Sequence, residues 1–249
     1  MMNGVSFDFT GTKVLVTGGT SGIGYAVSSA FAGAGASVTV TGTRSSAADY
    51  DTELSRFTYA QLEMRDGEAV DALAAGLGTL DVLVNNAGAN FPDGLDEWSP
   101  EGFSASLAMN VEGAQRLSVR SREALAKSSM AGGASVVNMI SMMTYRATTI
   151  VPGYSSSKAA LLALTRNLAL HFVNDGIRVN AVAPGLIDTP MTAPMKPYPE
   201  MLDGELAKQM MRRMGTPEEI AAAVLFLSSS VSSFTTGTAL AIDGGYLAL

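Results

Sequence analysis

Tyr154 and Lys158 can exchange protons, and they stand four residues apart near the start of a segment that predicts a helix. At that spacing both side chains lie on one helix face, a turn apart. A phenol with a pKa near ~10 is poorly matched to proton exchange at neutral pH, and lowering that pKa by about three units requires roughly 4 kcal/mol. One ammonium group about 4 Å away supplies about that much at a moderate dielectric. The pair therefore predicts a tyrosine acid/base whose pKa is lowered by the lysine.

A glycine-rich turn joins the first predicted strand to the first predicted helix. Strand Val14–Thr17 runs directly into the sequence Gly-Gly-Thr-Ser-Gly-Ile-Gly. Gly18 permits a tight turn, while Gly22 and Gly24 let backbone N–H groups and the helix N-terminus come close to a pyrophosphate. A glycine cluster alone is often an ordinary turn, but this position predicts a dinucleotide-binding loop. The expected contacts come from Gly18, Thr20, Ser21, Gly22, Ile23 and Gly24.

The end of the second predicted strand bears on which dinucleotide binds. In such folds an acidic side chain at this point binds the 2′-hydroxyl of the adenosine ribose. Here Thr43 and Arg44 follow the strand, and no carboxylate occurs until Asp49. A guanidinium pairs well with a 2′-phosphate. Thr43 and Arg44 therefore favour NADP over NAD, although a solvated loop arginine is the alternative and NAD stays open.

Short apolar runs alternate with longer Ala/Leu-rich segments along the whole chain. Nearly continuous apolar runs are typical of strands buried on both faces, and their alternation with helices predicts a doubly wound parallel sheet, a Rossmann-like α/β fold. No linker divides the chain, so we expect one domain over residues 1–249. The predicted strands are Val14–Thr17, Ser37–Thr41, Phe57–Leu62, Leu80–Val84, Ser135–Ile140, Arg178–Val182 and Ala239–Ile242, and the predicted helices are Gly22–Gly33, Gly67–Ala75, Pro100–Ser128, Gly153–Val173 and Pro217–Ser228.

Composition excludes several classes of protein. Lys and Arg total 16 against 23 Asp and Glu, a formal net charge of −7, which argues against binding to a nucleic-acid backbone or to an anionic membrane surface. With no cysteine and one histidine, His171, neither a disulfide framework nor a thiolate or multi-histidine metal site is expected. The sequence contains no pattern typical of a signal peptide or a membrane span. We expect a cytoplasmic protein without a metal.

Five ordered motifs resemble those of the short-chain dehydrogenase/reductase family, in its compact single-domain branch. The resemblance extends from Lys13 to Gly245, and it begins with the glycine loop, which matches the family's Thr-Gly-x-x-x-Gly-x-Gly pattern. The other motifs are Asn85-Asn86-Ala87-Gly88, the tetrad Asn110, Ser141, Tyr154 and Lys158, the turn Pro184-Gly185-Leu186-Ile187-Asp188-Thr189, and Asp243-Gly244-Gly245.

This resemblance implies an NAD(P)-dependent enzyme that interconverts a secondary alcohol and a ketone by hydride transfer. It implies that Tyr154 moves the proton and that Lys158 lowers the Tyr154 pKa and binds the nicotinamide ribose. It further implies that Ser141 holds the substrate oxygen, and that Asn110 bends its helix and anchors a water. Where the family usually has an adenine-binding Asp in an Asp-Val-x-Asp stretch, this chain has Glu63-Met64-Arg65-Asp66, so Glu63 could still reach the adenine amino group. The remaining implied cofactor contacts are Asn86, Ala87, Gly88, Pro184, Gly185, Ile187 and Thr189.

Asp188–Leu202 interrupts the regular alternation, because it carries four prolines among methionines and a tyrosine. Proline cannot continue a helix, so we expect a long loop or broken lid within a substrate loop near residues 188–212. Methionine fills gaps in cores but also lines adaptable pockets, which favours an apolar or aromatic ketone or alcohol as substrate. The expected pocket residues are Ser141, Met143, Gly185, Met191, Met195 and Tyr198.

Three other functions are considered. A 3-oxoacyl reductase acting on a carrier protein or CoA would need basic residues beside its entrance if the carrier is acidic, and Ser128–Ala134 and Asn174-Asp175 supply none. A non-catalytic NAD(P)-sensing protein would not need the intact tetrad, and an epimerase or dehydratase of the longer branch would need a larger C-terminal region.

The family resemblance implies a homotetramer built on Pro100–Ser128 and Gly153–Val173. Trp98 is expected to anchor packing, and His171 to lie at the surface or an interface.

Overall fold

Alternating side chains of the first strand determine how the two faces of the sheet are covered. Val14 and Val16 point to one face and Leu15 to the other, since successive strand residues face opposite sides, and all three are buried. Val14 and Val16 pack in one apolar cluster with residues of the first and last helices, whereas Leu15 packs with Leu117 and Phe172 in a second cluster. Helices therefore cover both faces, as a doubly wound sheet requires.

The computed structural model describes residues 5–249. Within them seven parallel strands form one sheet in the order β3-β2-β1-β4-β5-β6-β7, so the Rossmann-like α/β fold predicted from the sequence is confirmed. The strands are β1 (Lys13–Val16), β2 (Ser37–Gly42), β3 (Thr58–Gln61), β4 (Val82–Asn85), β5 (Ala134–Met139), β6 (Ile177–Pro184) and β7 (Ala239–Ile242).

Eight α-helices join or follow the strands in the described part of the chain. Helices α1 and α8 contribute to the cluster with Val14, and α2, α4, α5 and α6 contribute to the cluster with Leu15. The helices are α1 (Gly22–Gly33), α2 (Gly67–Ala75), α3 (Pro100–Leu107), α4 (Gly113–Arg120), α5 (Arg122–Ala126), α6 (Pro152–Phe172), α7 (Pro199–Leu206) and α8 (Pro217–Ser228).

The long helix predicted over Pro100–Ser128 is divided into α3, α4 and α5. A π-helical turn over Ala108–Glu112 separates α3 from α4, and Asn110 lies at its centre. The Asn110 amide nitrogen donates to the carbonyls of Ser106 and Ala89, each at 2.9 Å. Such turns interrupt the regular ladder of helical hydrogen bonds. The expectation of one continuous helix is corrected, and a bend at Asn110 is found.

The proline-rich segment is broken, as its composition predicts, but it also contains a short helix. A single 3₁₀ turn covers Ala193–Met195, and α7 begins at Pro199, a first helical position at which the missing proline N–H is tolerated. No residue of α7 is buried. The helix α7 therefore lies at the surface of the protein.

Two side chains singled out in the sequence lie at the surface. Trp98 is 65% exposed, and its indole nitrogen donates to the Thr149 carbonyl at 3.0 Å, so it tethers two loops and is not the packing anchor we expected. His171 is exposed, with its Nε2 3.1 Å from a guanidinium nitrogen of Arg122. Across residues 5–249, no helix combines the length and apolarity that crossing a bilayer requires.

Candidate active site

Six strands, β1 to β6, end at one cleft along the carboxyl edge of the sheet. The chain order reverses between β1 and β4, and ligands of open α/β sheets bind in the crevice at such a switch point. The cleft has a volume of about 360 Å³. The predicted residues that line it are Gly18, Thr20, Ser21, Gly22, Ile23, Gly24, Thr43, Glu63, Met64, Asn86, Ala87, Gly88, Ser141, Tyr154, Lys158, Pro184, Gly185, Ile187, Thr189 and Met191.

The glycine loop packs too tightly to admit side chains. A Cβ added to Gly24 would overlap the Gly18 carbonyl oxygen and would lie 2.5 Å from the Asn86 side-chain nitrogen. Ser21 precedes α1, but its side chain does not cap the helix, so the first N–H groups of α1 remain available to a phosphate. This loop therefore fits the pyrophosphate of a dinucleotide.

Asn86 braces this loop. Its side-chain nitrogen donates to the carbonyls of Thr17 and Gly18 at 3.0 and 3.1 Å. The Thr17 hydroxyl accepts the backbone N–H groups of Asn86 and Ala87, each at 3.0 Å. The segment after β4 is thus fixed against the segment after β1, and both face the cleft.

The proton-exchanging pair lies deeper in the cleft, where α6 passes the ends of β4 and β5. Tyr154 is half-buried and lines the cleft together with Ser141, a buried residue that follows β5. Lys158 is buried, with its Nζ 5.4 Å from the centre of the Tyr154 ring and donating to the Met139 carbonyl at 2.8 Å. The structure thus brings Ser141, Tyr154 and Lys158 together.

Asn110 joins this group from the π-helical turn. Its side-chain oxygen accepts the Ala89 N–H at 3.1 Å while its amide nitrogen donates to the Ala89 carbonyl. A Cβ added to Gly88 would lie 2.6 Å from that oxygen and 3.1 Å from the Lys158 Nζ. Asn110 and Lys158 therefore approach the same glycine, which only a residue without a side chain can occupy.

Comparisons with known proteins agree with this geometry. A family model described as enoyl-(acyl carrier protein) reductase matches residues 18–247. Galactitol 2-dehydrogenase (L-tagatose-forming) from Cereibacter sphaeroides is 37% identical, covering 96% of each chain, and 2-(R)-hydroxypropyl-CoM dehydrogenase from Xanthobacter autotrophicus is 34% identical, covering 94% of this chain and 98% of the relative. The chain belongs to the short-chain dehydrogenase/reductase family.

A solved structure of the same family extends the agreement to the cofactor. The NADP active-site complex of RhlG from Pseudomonas aeruginosa has a TM-score of 0.85 and 30% identity, covering 96% of this chain and 98% of that one. The glycine loop described above has the form that an NAD(P) pyrophosphate requires. The chain is therefore an NAD(P)-dependent oxidoreductase of the short-chain dehydrogenase/reductase family.

Electrostatics in this short-chain dehydrogenase/reductase differ from the sequence-based expectation. Burial raises the pKa of Tyr154, the hydrogen bond from Ser141 lowers it in part, and the charge of Glu97 raises it further. Burial also lowers the pKa of Lys158 to about 8. The expectation that the lysine lowers the tyrosine pKa is not met in this structure, because desolvation of the phenol is the largest cause of its shift.

Arg44 lies at the rim of the cleft beside Thr43. The guanidinium carbon stands 4.7 Å from the centre of the Tyr50 ring, and one guanidinium nitrogen donates to the Asp49 carbonyl. The Asp49 carboxylate is engaged elsewhere, accepting from the Ser46 N–H and the Ser45 hydroxyl, each at 2.9 Å. The Arg44 side chain is thus held in place while its charge is not neutralised by the neighbouring acid.

Glu63 lies on the cleft lining, but its carboxylate is already engaged. Its Oε1 accepts from the backbone N–H and the guanidinium of Arg65 at 3.2 and 3.4 Å. Arg65 in turn binds Asp93, with nitrogen–oxygen distances of 2.5 and 3.2 Å. The Glu63 side chain is therefore oriented by a small ion-pair network on the lining of the cleft.

The expected substrate pocket is only partly assembled as predicted. Met191 lines the cleft together with Ser141 and Gly185. Met143 and Met195 instead pack with Met142, Leu186 and Tyr246 in an apolar cluster, and Tyr198 is 64% exposed. Their assignment to the lining is corrected: the C-terminal turn around Tyr246 provides an apolar surface that attracts the two methionines away from the cleft.

Sequence reasoning missed three residues that shape the site. Thr17 is fully buried and bonds the loop after β4, and Tyr50 supports Arg44. Glu97 is 1% exposed and contacts the first turn of α6. Thr17 and Tyr50 carried weak signals, as a threonine inside the glycine motif and an aromatic close to an arginine, whereas Glu97 lies in an acidic stretch that is typical of an exposed turn.

Proposed function

We propose that this protein interconverts a neutral, largely apolar secondary alcohol and the corresponding ketone, with Tyr154 as the acid/base. The observation that carries the proposal is the convergence of Ser141, Tyr154 and Lys158 at the floor of a cleft with a pyrophosphate-binding loop at its other end. When bound, NAD(P) supplies or accepts the hydride.

The protein's own side chains move the proton. In reduction, the Tyr154 hydroxyl gives its proton to the carbonyl oxygen while the carbonyl carbon gains the hydride; in oxidation, the phenolate takes the hydroxyl proton. The Ser141 hydroxyl donates to the same oxygen and stabilises the charge that develops there. Lys158 would bind the nicotinamide ribose, and Asn110 would anchor a water that passes protons to Lys158.

Arg44 supports NADP as the preferred cofactor. Its guanidinium is stacked on Tyr50 and has no carboxylate partner among the described ion pairs, so a 2′-phosphate would meet a positioned, unpaired charge. The carboxylate of Asp49 is turned toward Ser45 and Ser46 and is not positioned as a ribose ligand.

The charges around the cleft support a neutral small molecule over a carrier protein. Lys196 pairs with Asp188 at 2.7 Å, and Arg65 pairs with Asp93. The Arg146 guanidinium binds backbone carbonyls of the C-terminal turn. These cations are already engaged, so an acidic carrier would have to displace their present partners. Ile187, Pro190 and Met191 give the cleft lining an apolar part.

Exposed apolar residues on the helices named above support the proposed homotetramer. Leu170 on α6 is 79% exposed, and Val119 on α4 and Phe103 on α3 are 41% and 39% exposed. Burying such residues against a second copy is favourable, at roughly 25 cal/mol per Å².

We keep the cytoplasm as the proposed compartment, where NAD(P) is available for turnover.

The direct test is turnover of the purified protein. We expect oxidation of NADPH with neutral aliphatic or aryl ketones, a higher kcat/KM with NADPH than with NADH, and slower reaction with a 3-oxoacyl thioester or a charged 2-oxo acid. Absence of turnover across this panel, with NADPH still bound, would instead favour an NAD(P)-sensing protein. A preference for the carrier-bound thioester would favour the 3-oxoacyl reductase.

A further inference from the structure

A buried carboxylate outside the tetrad contacts the helix that carries Tyr154. Glu97 lies before α3 and is 1% exposed. Its Oε2 accepts the backbone N–H of Tyr154 at 2.8 Å, and its Oε1 accepts the backbone N–H of Phe91, also at 2.8 Å. A single side chain therefore joins the first turn of α6 to the loop that follows β4.

The bond to Tyr154 replaces a helix cap that the local sequence does not provide. Val151 precedes α6 and its side chain makes no capping hydrogen bond. Tyr154 is the third residue of the helix, so its N–H has no acceptor within the helix. A carboxylate at a helix N-terminus is also favoured by the helix dipole. The Glu97 carboxylate thus anchors the backbone of Tyr154 directly.

The bond to Phe91 ties the same point to the rest of the site. Phe91 has a left-handed backbone, with φ of 46°, which is strained for a residue with a side chain. Two residues earlier, Ala89 exchanges two hydrogen bonds with the side chain of Asn110. Gly88, the residue before Ala89, lies so close to the Lys158 ammonium that an added Cβ would be 3.1 Å from it. Glu97 therefore closes a ring of contacts that includes Tyr154, Asn110 and Lys158.

No cation in residues 5–249 pairs with Glu97, although a buried charge costs free energy when it is unpaired. The charge also acts on the phenol, because it raises the pKa of Tyr154 and so favours the protonated tyrosine that donates to a carbonyl. An uncharged side chain of the same size would fill the space. It would not accept hydrogen bonds from both N–H groups on two oxygens, and it would not raise the pKa of the Tyr154 phenol.

We infer that Glu97 is a positioning residue, which fixes the backbone of Tyr154 against the loop after β4. The inference rests on the proposed function. It assigns to Glu97 no contact with substrate or cofactor, only contact with the segments that carry Tyr154 and Asn110.

Other charged and titratable groups lie around Glu97 and Tyr154. Lys158 approaches Tyr154 from its own helix. Four acidic residues on the neighbouring elements are exposed, namely Asp93, Asp96, Glu101 and Glu112. In the turn after Ser141, a tyrosine is 45% exposed and the following arginine binds the C-terminal backbone. Glu97 is therefore the acidic group whose removal acts on the Tyr154 phenol.

The test compares Glu97→Gln with Glu101→Gln, a matched control that removes the same charge from an exposed position in the first turn of α3. Amide hydrogen exchange is followed by mass spectrometry on peptides that cover residues 89–95 and 152–158. The pH profile of kcat/KM for alcohol oxidation is measured in parallel. Glutamine keeps the size of the side chain and one acceptor, so the variant remains foldable.

We expect faster exchange in both segments of Glu97→Gln. We also expect the plateau of kcat/KM to fall about tenfold through misplacement of the phenol, and its ascending limb to move to lower pH by about half a unit or more. Glu101→Gln should match the wild type. Unchanged exchange in both segments would overturn the inference. Faster exchange with an unmoved pH limb and plateau would also overturn it, since Glu97 would then only stabilise the fold.

Failure of the proposed function would look different. The wild-type protein would then show no turnover with any ketone or alcohol. The exchange comparison needs no turnover, so it would still decide whether Glu97 joins the two segments.

Discussion

At the scale of single residues, burial disfavours the charged forms of both Tyr154 and its neighbour Lys158. Burial raises the Tyr154 pKa and lowers the Lys158 pKa to about 8, so each group is pushed toward its neutral form. A neutral phenol is the form that donates a proton to a ketone. The buried ammonium of Lys158, in contrast, lowers the free energy of unfolding. Such a loss of stability is common where function requires a group at a given position.

That cost predicts a stability gain in Lys158→Met. The lysine pKa falls from 10.5 to about 8 on folding, which corresponds to roughly 3 kcal/mol at 1.36 kcal/mol per unit. Between these values the unfolded chain binds more protons, so wild-type stability rises with pH across that range. We expect the variant to be more stable by about 1–3 kcal/mol at pH 7, after the loss of the bond to Met139, and the gap to close toward pH 10.

Urea unfolding at fixed protein concentration, at pH 7 and pH 9.5, measures this gap. The exposed Lys127→Met is the control and should show no comparable pH-dependent gain. A wild-type protein that is more stable than Lys158→Met at pH 7, or a gap that widens as pH rises, would contradict the effect of burial.

Cofactor preference is also decided by a single side chain. Arg44→Ala should lower kcat/KM for NADPH about tenfold or more and leave the value for NADH within about twofold, because only NADPH offers a 2′-phosphate to the guanidinium. Arg56→Ala removes the same charge from an arginine stacked on Phe57 and bonded to Ser29, and serves as the control. Equal losses with both cofactors would place the 2′-phosphate elsewhere.

Residue types and spacing predicted which chemistry-bearing side chains face the cleft, but not every neighbour. Tyr154 and Lys158 were predictable because a helix repeats its faces every turn. Glu97 was not, since its burial depends on Phe91 and Tyr154, which lie 6 and 57 positions away. Two methionines, at positions 143 and 195, were misplaced because the apolar cluster that holds them forms only when the C-terminal turn folds back.

At the scale of elements, the junction between β1 and α1 depends on close backbone packing. Gly24→Ala would drive a methyl group into the Gly18 carbonyl oxygen. We expect this variant to lose NADPH binding, measured by fluorescence titration, and about 1–3 kcal/mol of stability. Gly33→Ala lies on the same helix with nothing within 4 Å of the added Cβ, and should instead stabilise by up to about 1 kcal/mol. Equal effects of the two variants would refute the tight turn.

The bounds of regular elements were easier to predict than the breaks within helices. β7 and helices α1, α2 and α8 begin and end where the pattern indicated. The break at Asn110 is invisible to periodicity, because the Asn110 side chain bonds the backbone of Ala89, which is 21 positions away in the sequence. α7 was obscured by its prolines, although a proline at the first helical position is tolerated.

At the scale of the whole molecule, an acidic chain with exposed apolar helices is expected to associate with copies of itself. Sedimentation velocity at micromolar concentration should give a species of about four times the 25.7 kDa chain mass. Leu170→Glu, which places a charge on the exposed face of α6, should shift the population to smaller species. A monomer in the wild type would contradict the proposed homotetramer and leave the catalytic account unchanged.

The central claim is that the Tyr154 phenol carries the proton, and Tyr154→Phe tests it most directly. The substitution removes one oxygen and leaves the glycine loop, Lys158 and the cleft in place. We predict that kcat/KM falls by about a thousandfold while the Kd for NADPH, measured by fluorescence, stays within about threefold. Activity within tenfold of the wild type, with the variant folded and NADPH bound, would contradict the account.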